Sequence, residues 1–470
     1  MTSGAAVAPA VTYDLVLRGG MVVTSGATGV ADIGIERGRV AQLGGEMEGR
    51  RELDVSGLHV LPGGVDVHVH LTSPAAGMSE GEGWVDDFES GSAAAIGGGI
   101  TTIGNMTFQR VGESLHDALA RDLALASKQA LVDFVLHPVL IDPTAATLEE
   151  IPELAAAGHR SLKVFMTRPD FDRNLAAYTS AIAAAGRAGS LTLVHCEDAN
   201  ALRCACEALF AAGRGDLRYF AESRPIHAEL LATERAIGLC RSTGSPIYVV
   251  HLSSQAALEA CHRAQTEGLP VWVETRPLYL HLTEERFAEP EPGRYTGAPA
   301  LRTAADRSRL WRGLVIGEIQ TCGTDHAPWR LAQKLDPALD VQTARQGVAD
   351  LETMLPMLLS EGVRGGSLSL SRFVEVTSTN AAKLFGLYPR KGTIAVGSDA
   401  DLVAWDLSEE RTIEGSRMHS RADYSPYDGW TVTGWPVYTL SRGEVVLDRG
   451  RLTADPGRGR WLSRERIGVL

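Results

Sequence analysis

Apolar and polar residues alternate along this chain in two rhythms, and the change between them divides it. From about residue 13 to 60, stretches such as YDLVLRGGMVVT, ADIGIERGRVAQLG and RELDVSGLHVL combine β-branched alternation with Gly-containing turns. That pattern predicts a run of short strands. The texture returns near the end in DADLVAWDL and PVYTLSRGEVVLDRGRL, where Arg-Gly and Gly-Arg pairs mark the turns. Matching strands at both ends predict a small β-sandwich domain assembled from both termini, with a larger domain inserted between them. The expected boundaries are 1–62 and 390–470 for the two parts of the β domain and 63–389 for the insertion. Residues 1–10 read as a frayed tail without the basic and apolar regions of a signal peptide.

In the middle, apolar runs of strand length alternate with amphipathic helical stretches. The strand candidates are VDVHVHL, GITTIGN, VDFVLHPVL, SLKVFMT, LTLVHCE, PIYVVHLS, PVWVETR and IQTCGTDH. Helical patterns such as SLHDALARDLALASKQALV and ELLATERAIGLCRSTG lie between them. Strands that are apolar throughout and alternate with helices predict a parallel sheet covered on its faces. Eight such units predict a closed (β/α)8 TIM barrel, with an open doubly wound sheet as the alternative. Gly97–Gly98–Gly99 precedes a strand rather than following one, so it reads as a helix stop and turn, not a dinucleotide loop.

In a (β/α)8 barrel the chemistry collects at the carboxyl ends of the strands. In the stretch 61–71, Val65, Val67 and Val69 alternate with Asp66, His68 and His70, so both histidines face one side of the first strand. Two imidazoles on one strand suit a first-row metal such as zinc. The fourth strand carries Lys163 inside an apolar run, the fifth ends at His195, the sixth at His251 and the eighth at Asp325. Taken singly, each has an ordinary structural explanation. Six such residues at equivalent points of five strands favour a metal site. Lys163 is the most informative of them. An ammonium inside an apolar strand is costly, and burial favours the neutral amine, which reacts with carbon dioxide to give an anionic carbamate. Such a group has an oxygen for each of two metals.

Composition narrows the picture further. The 470 residues are 44% hydrophobic and 22% charged, as in a soluble globular protein, and the net charge of −13 argues against nucleic acid as a partner. No apolar run approaches the roughly 20 residues a membrane span requires, and a cytoplasmic location is expected. Six scattered cysteines (Cys196, Cys204, Cys206, Cys240, Cys261, Cys322) read as reduced packing thiols.

The chain resembles the amidohydrolase superfamily over nearly its whole length, specifically the cyclic-amidase branch of dihydropyrimidinases, hydantoinases, allantoinases and dihydroorotases. The motifs GGVDVHVHL, DDFESGSAAAIGGGITT, LKVFM, LVHCED, VVHLSS, GTDHAP and TSTNAAKLFGLYPRKGTIAVGSDADLVAWD carry the resemblance. It implies two divalent metal ions, most simply zinc. His68 and His70 would hold one, His195 and His251 the other, with carboxylated Lys163 bridging them and Asp325 completing the first shell. It implies attack by a hydroxide shared between the metals on the carbonyl of a small cyclic amide or ureide, with Asp325 as acid and base, and a homo-oligomer, tetramer or dimer. The aromatic stretch 425–435 is a candidate interface or a cover for the β domain.

Four positions depart from the branch. Dihydroorotases carry an Arg two residues after the second His, where this chain has Thr72, which disfavours dihydroorotase activity. Dihydropyrimidinases and hydantoinases place a Tyr five residues after the bridging Lys, where this chain has Arg168. An Arg there donates to the oxyanion, binds an acidic group on the substrate, or faces solvent. Ala298 and Ala349 replace the Ser and Asn that hold the ring amide in hydantoinases, and those contacts run through backbone groups as well. The Gly- and Ser-rich loop 72–84 is expected to border the pocket. Alternatives are an allantoinase or another cyclic amidase, a non-catalytic dihydropyrimidinase-like scaffold that has lost ligands, and an oxidoreductase, which would need a glycine fingerprint after the first strand.

Overall fold

The structure, a computed structural model, describes residues 12–72, 83–468 and 470. The expected frayed tail 1–10 and residues 73–82 of the expected pocket loop lie outside the described residues. All eight strand candidates form one parallel sheet in sequence order: β1 (Gly64–Val69), β2 (Ile100–Phe108), β3 (Asp133–Val139), β4 (Ser161–Phe165), β5 (Leu191–His195), β6 (Ile247–Val249), β7 (Val271–Thr275) and β8 (Thr321–Cys322). The ring closes beyond β8. Val69 pairs in parallel with His326, and the His70 amide donates to the His326 carbonyl at 2.8 Å. Asp66 reinforces the seam by accepting from the Thr324 hydroxyl at 2.5 Å. The barrel is therefore the closed form, not the open sheet.

The helices between the strands start where the sequence supplies a capping side chain. Asp87, Ser114, Thr144, Asp198, Ser254 and Thr303 each accept a backbone N–H in the first turn of their helix. The triple glycine does what its position predicts. The helix Phe88–Gly97 is capped by Gly98, and Gly99 turns at φ +85° into β2. A Cβ on Gly98 would lie 2.7 Å from the Glu352 carbonyl oxygen, so the close approach also requires glycine.

The second sheet has nine strands and draws on both ends of the chain. His59–Pro62 pairs with Leu15–Val23 on one side and with Leu402–Thr412 on the other. Alternation along Leu402–Thr412 divides two cores. Val403 and Trp405 pack in the large cluster that contains Ala94 and Ile96, while Leu402 and Ala404 join Leu17, Ile33 and Leu440. Burying a side chain of this size contributes about 1.5–3 kcal/mol, so one strand ties the terminal sheet to the barrel. Tyr427 and Trp435 are buried in the chain's own core rather than presented outward. Four cysteines are buried thiols as expected, but Cys204 is exposed and Cys206 half-buried.

Candidate metal centre

Each expected ligand is set by a strand end. The β1–β2 pairing shifts register between Asp66 and Val69. His68 and His70 nevertheless both reach Asp325, with Nε2 atoms 3.1 and 2.8 Å from its Oδ1. These three form the one group of buried histidines and acids, among the described residues, whose ligand atoms all lie within 4.8 Å of one another. His251 stacks on His68 with ring centroids 5.4 Å apart, and His195 meets His251 edge-on at 4.4 Å. Lys163 is fully buried, its Nζ 4.8 Å from the centre of the Phe165 ring. His251 and Asp325 both have left-handed backbones, with φ of +41° and +49°. Conformations of that kind cost about 1–3 kcal/mol and persist where the surroundings over-determine them.

The residues fit a cation. His68 Nε2, His70 Nδ1, Lys163 Nζ and His251 Nδ1 are buried without a hydrogen-bond partner among the described residues. His68 Nε2 is close to Asp325 but outside hydrogen-bond geometry. Orphaned buried nitrogens are costly, and a cation bound at an imidazole nitrogen such as His68 Nε2 removes that cost there. Burial pushes His70 down to about 4, lowers His195 and holds His251 well below the ordinary imidazole range. Neutral imidazole is the metal-binding form. In His68 burial is the largest influence and works against protonation, but the carboxylates of Glu274 and Asp325 together outweigh it and the value rises. Burial brings the Lys163 amine down to about 8. Burial opposes ionisation of Asp325 too, yet Arg276 and His68 hold it well below the usual carboxylate range.

Behind the ligands stand charged residues that sequence reasoning passed over. Glu274 Oε1 takes His68 Nδ1 at 2.7 Å and the His251 amide at 3.0 Å, so one buried carboxylate orients two of the expected ligands. Glu197 Oε2 takes His195 Nε2 at 2.7 Å and is itself gripped by Arg224. Arg276, also fully buried, donates to Asp325 Oδ2 at 2.8 Å and contacts Asp350 at 3.4 Å. A signal for them was present. Glu274 and Arg276 end the run VWVETR, and Glu197 follows His195 by two residues, the same strand-end position that picked out the ligands.

His70, His195, His251 and Asp325 form the floor of a cavity of about 570 Å³. Trp84, Phe108 and Phe165 supply aromatic wall, and Arg168, Arg224 and Ala298 also line it. Trp84 is the described part of the expected pocket loop that does so. Arg168 donates to Asp170 at 2.9 Å. Ala349 is buried but is not among the lining residues. Thr72 is tied down elsewhere, donating to Asp122 at 2.8 Å and accepting from Asn105 at 3.0 Å. Another cavity of similar size, about 560 Å³ beside Glu352, His419 and Trp435, gathers no comparable donor set.

The amidohydrolase family profile matches residues 59–446. D-hydantoinase from Ralstonia pickettii is 35% identical over 458 residues, which cover 96% of this chain and 99% of that protein. D-hydantoinase from Geobacillus stearothermophilus is 37% identical over 461 residues, 97% of each chain. The solved structure of dihydropyrimidinase from Brevibacillus agri superposes with a TM-score of 0.91 at 34% identity, over 97% of this chain and 99% of that one. Ligand chemistry, barrel and relatives agree, and the chain belongs to the amidohydrolase family, within its cyclic-amidase branch.

Proposed function

We propose that this protein is a binuclear-metal hydrolase that opens the ring of a cyclic amide or ureide, a 5-substituted hydantoin or a dihydropyrimidine. The observation that carries the reading is the convergence of His68, His70 and Asp325, with His70 and Asp325 on the floor of the cavity and His195 and His251 beside them. In this reading His68, His70 and Asp325 would hold one divalent ion and His195 and His251 the other, with carboxylated Lys163 as a further ligand. Zinc suits the nitrogen and oxygen donor set. Two such ions supply Lewis-acid polarisation and a nucleophile at neutral pH.

The remaining work falls to the chain. Lys163 Nζ has no hydrogen-bond partner among the described residues. Its nitrogen bonds to the carbon of carbon dioxide and sheds a proton, leaving a carbamate of the charge the site needs. Glu274 fixes the tautomer of His68 and Glu197 that of His195, so their other ring nitrogens serve as ligands. The aromatic wall stacks a planar ring and excludes water. Asp325, ionised and steadied by Arg276, takes a proton during attack and returns it to the leaving ring nitrogen.

A scaffold role has no observation in its favour, because all six ligand positions are filled. The test is a ring-opening screen of dihydrouracil, 5-substituted hydantoins, allantoin and dihydroorotate by kcat/KM, alongside metal analysis. Opening of dihydrouracil or hydantoins with about two divalent ions per chain is expected. Fewer than one ion per chain, or no opening of any compound, overturns the proposal. The reading includes a homo-oligomer, which sedimentation velocity checks.

A further inference from the structure

Two arginines line the cavity, and the acid that lines it among the described residues is Asp325. Asp325 is committed to His68, His70 and Arg276. The two arginines differ in freedom. Arg224 gives both Nε and Nη2 to the fully buried Glu197. Arg168, just past β4 at the start of the short helix Pro169–Arg173, gives Nη2 to Asp170 and also meets the Tyr178 hydroxyl, but it keeps its side chain 35% exposed. Asp170 is not among the lining residues, so it orients the guanidinium from behind. The same cavity is lined by His70, His195, His251 and Asp325 and by the aromatic rings of Trp84, Phe108 and Phe165, so in the ring-opening reading the ring and its amide have other groups to meet than this cation.

We infer that Arg168 receives a carboxylate carried on the ring substituent of the substrate, making the preferred substrate class cyclic ureides with a short acidic arm. A guanidinium loses water when an arm fills the cavity beside it. An apolar or merely polar arm leaves that loss uncompensated, whereas a carboxylate answers it with charge-assisted hydrogen bonds. The inference rests on the ring-opening function proposed above.

The test uses the metal-replete full-length enzyme with two isosteric substrates, 5-(2-carboxyethyl)hydantoin and 5-(2-carbamoylethyl)hydantoin, and with unsubstituted hydantoin and dihydrouracil. The acid should be preferred over its amide by about 10- to 100-fold in kcat/KM, the worth of a hydrogen bond to a charged group. The preference should lie mainly in KM and shrink with added salt. Arg168→Gln should bring the ratio close to one, and Arg168→Lys should keep part of it. Equal rates for acid and amide, a preference that survives Arg168→Gln, or opening of hydantoin but not of the acid overturns the role of Arg168 and leaves the ring-opening reading standing. If none of the four compounds opens, that reading falls and takes the inference with it.

Discussion

The floor of the cavity and the part of its wall that carries Arg168 and Ala298 are built from different kinds of element, although Phe108 and Phe165 of the wall end β2 and β4. On the floor, His195 ends a barrel strand, while His70, His251 and Asp325 lie within a few residues of strand ends, and His68 stands beneath them within β1. Behind this set, the buried groups Glu274, Glu197 and Arg276 hold His68, His195 and Asp325. On the wall, Arg168 precedes a five-residue helix and Ala298 lies in the loop between the short turn Pro292–Tyr295 and the helix Ala304–Ile316. A strand end has its backbone fixed by neighbours on both sides, so a side chain there can be placed to within a fraction of an ångström and tied by a second layer. A loop residue is free to change without disturbing the sheet. The departures from the branch at Arg168 and Ala298 fall on the wall, while the floor is complete.

That contrast makes graded predictions. The largest effect belongs to Lys163. Lys163→Ala should abolish activity and leave fewer than two ions per chain by metal analysis, with short carboxylic acids restoring part of both. Full metal content and rate in the variant would remove Lys163 from the floor. Asp325→Asn should lower kcat by about 10²- to 10⁴-fold, the range of general acid–base groups. Its melting temperature should move little, because Asn tolerates the left-handed backbone at this position and Asp350 still faces Arg276. A large loss of stability there would mean that Asp325 serves the fold more than the chemistry.

One layer further back, Glu274→Gln should cost about 10- to 100-fold in metal affinity or activity, as outer partners of metal ligands do. Titration with zinc against a competing chelator checks it. The smallest effect is expected on the wall. Ala298→Ser should change KM by about tenfold or less, in line with one added neutral hydrogen bond. A change larger than that of Glu274→Gln would break the distinction between floor and wall.

The legible parts of this protein were those with a short period. Strand candidates stood out because apolar runs of fixed length recur between amphipathic helices, and all eight occupy the barrel in order. His68, His70, His195, His251 and Asp325 stood out because a parallel barrel gives strand ends a common address. Glu274 and Arg276 occupied the same kind of address and were passed over, since charged residues at a strand end are usually solvated. Their burial depends on β7 lying between β6 and β8, a relation that no local pattern carries. Thr72 is similar. Its hydroxyl is claimed by Asp122, 50 residues away.

By itself, then, the sequence determined the alternation of strand and helix, the division between terminal sheet and inserted barrel, and the set of side chains at strand ends. Those follow from backbone periodicity and from which residues tolerate burial. The tertiary structure alone decided that His68 and His70 share one oxygen of Asp325, that one carboxylate of Glu274 steers two ligands, and that Arg168 rather than Ala349 lines the cavity. Each is a meeting of residues far apart in the chain, fixed by barrel closure. Closure brings the first and last strands together across more than 250 residues, and neither hydrophobic pattern nor local propensity encodes the ångström-scale outcome.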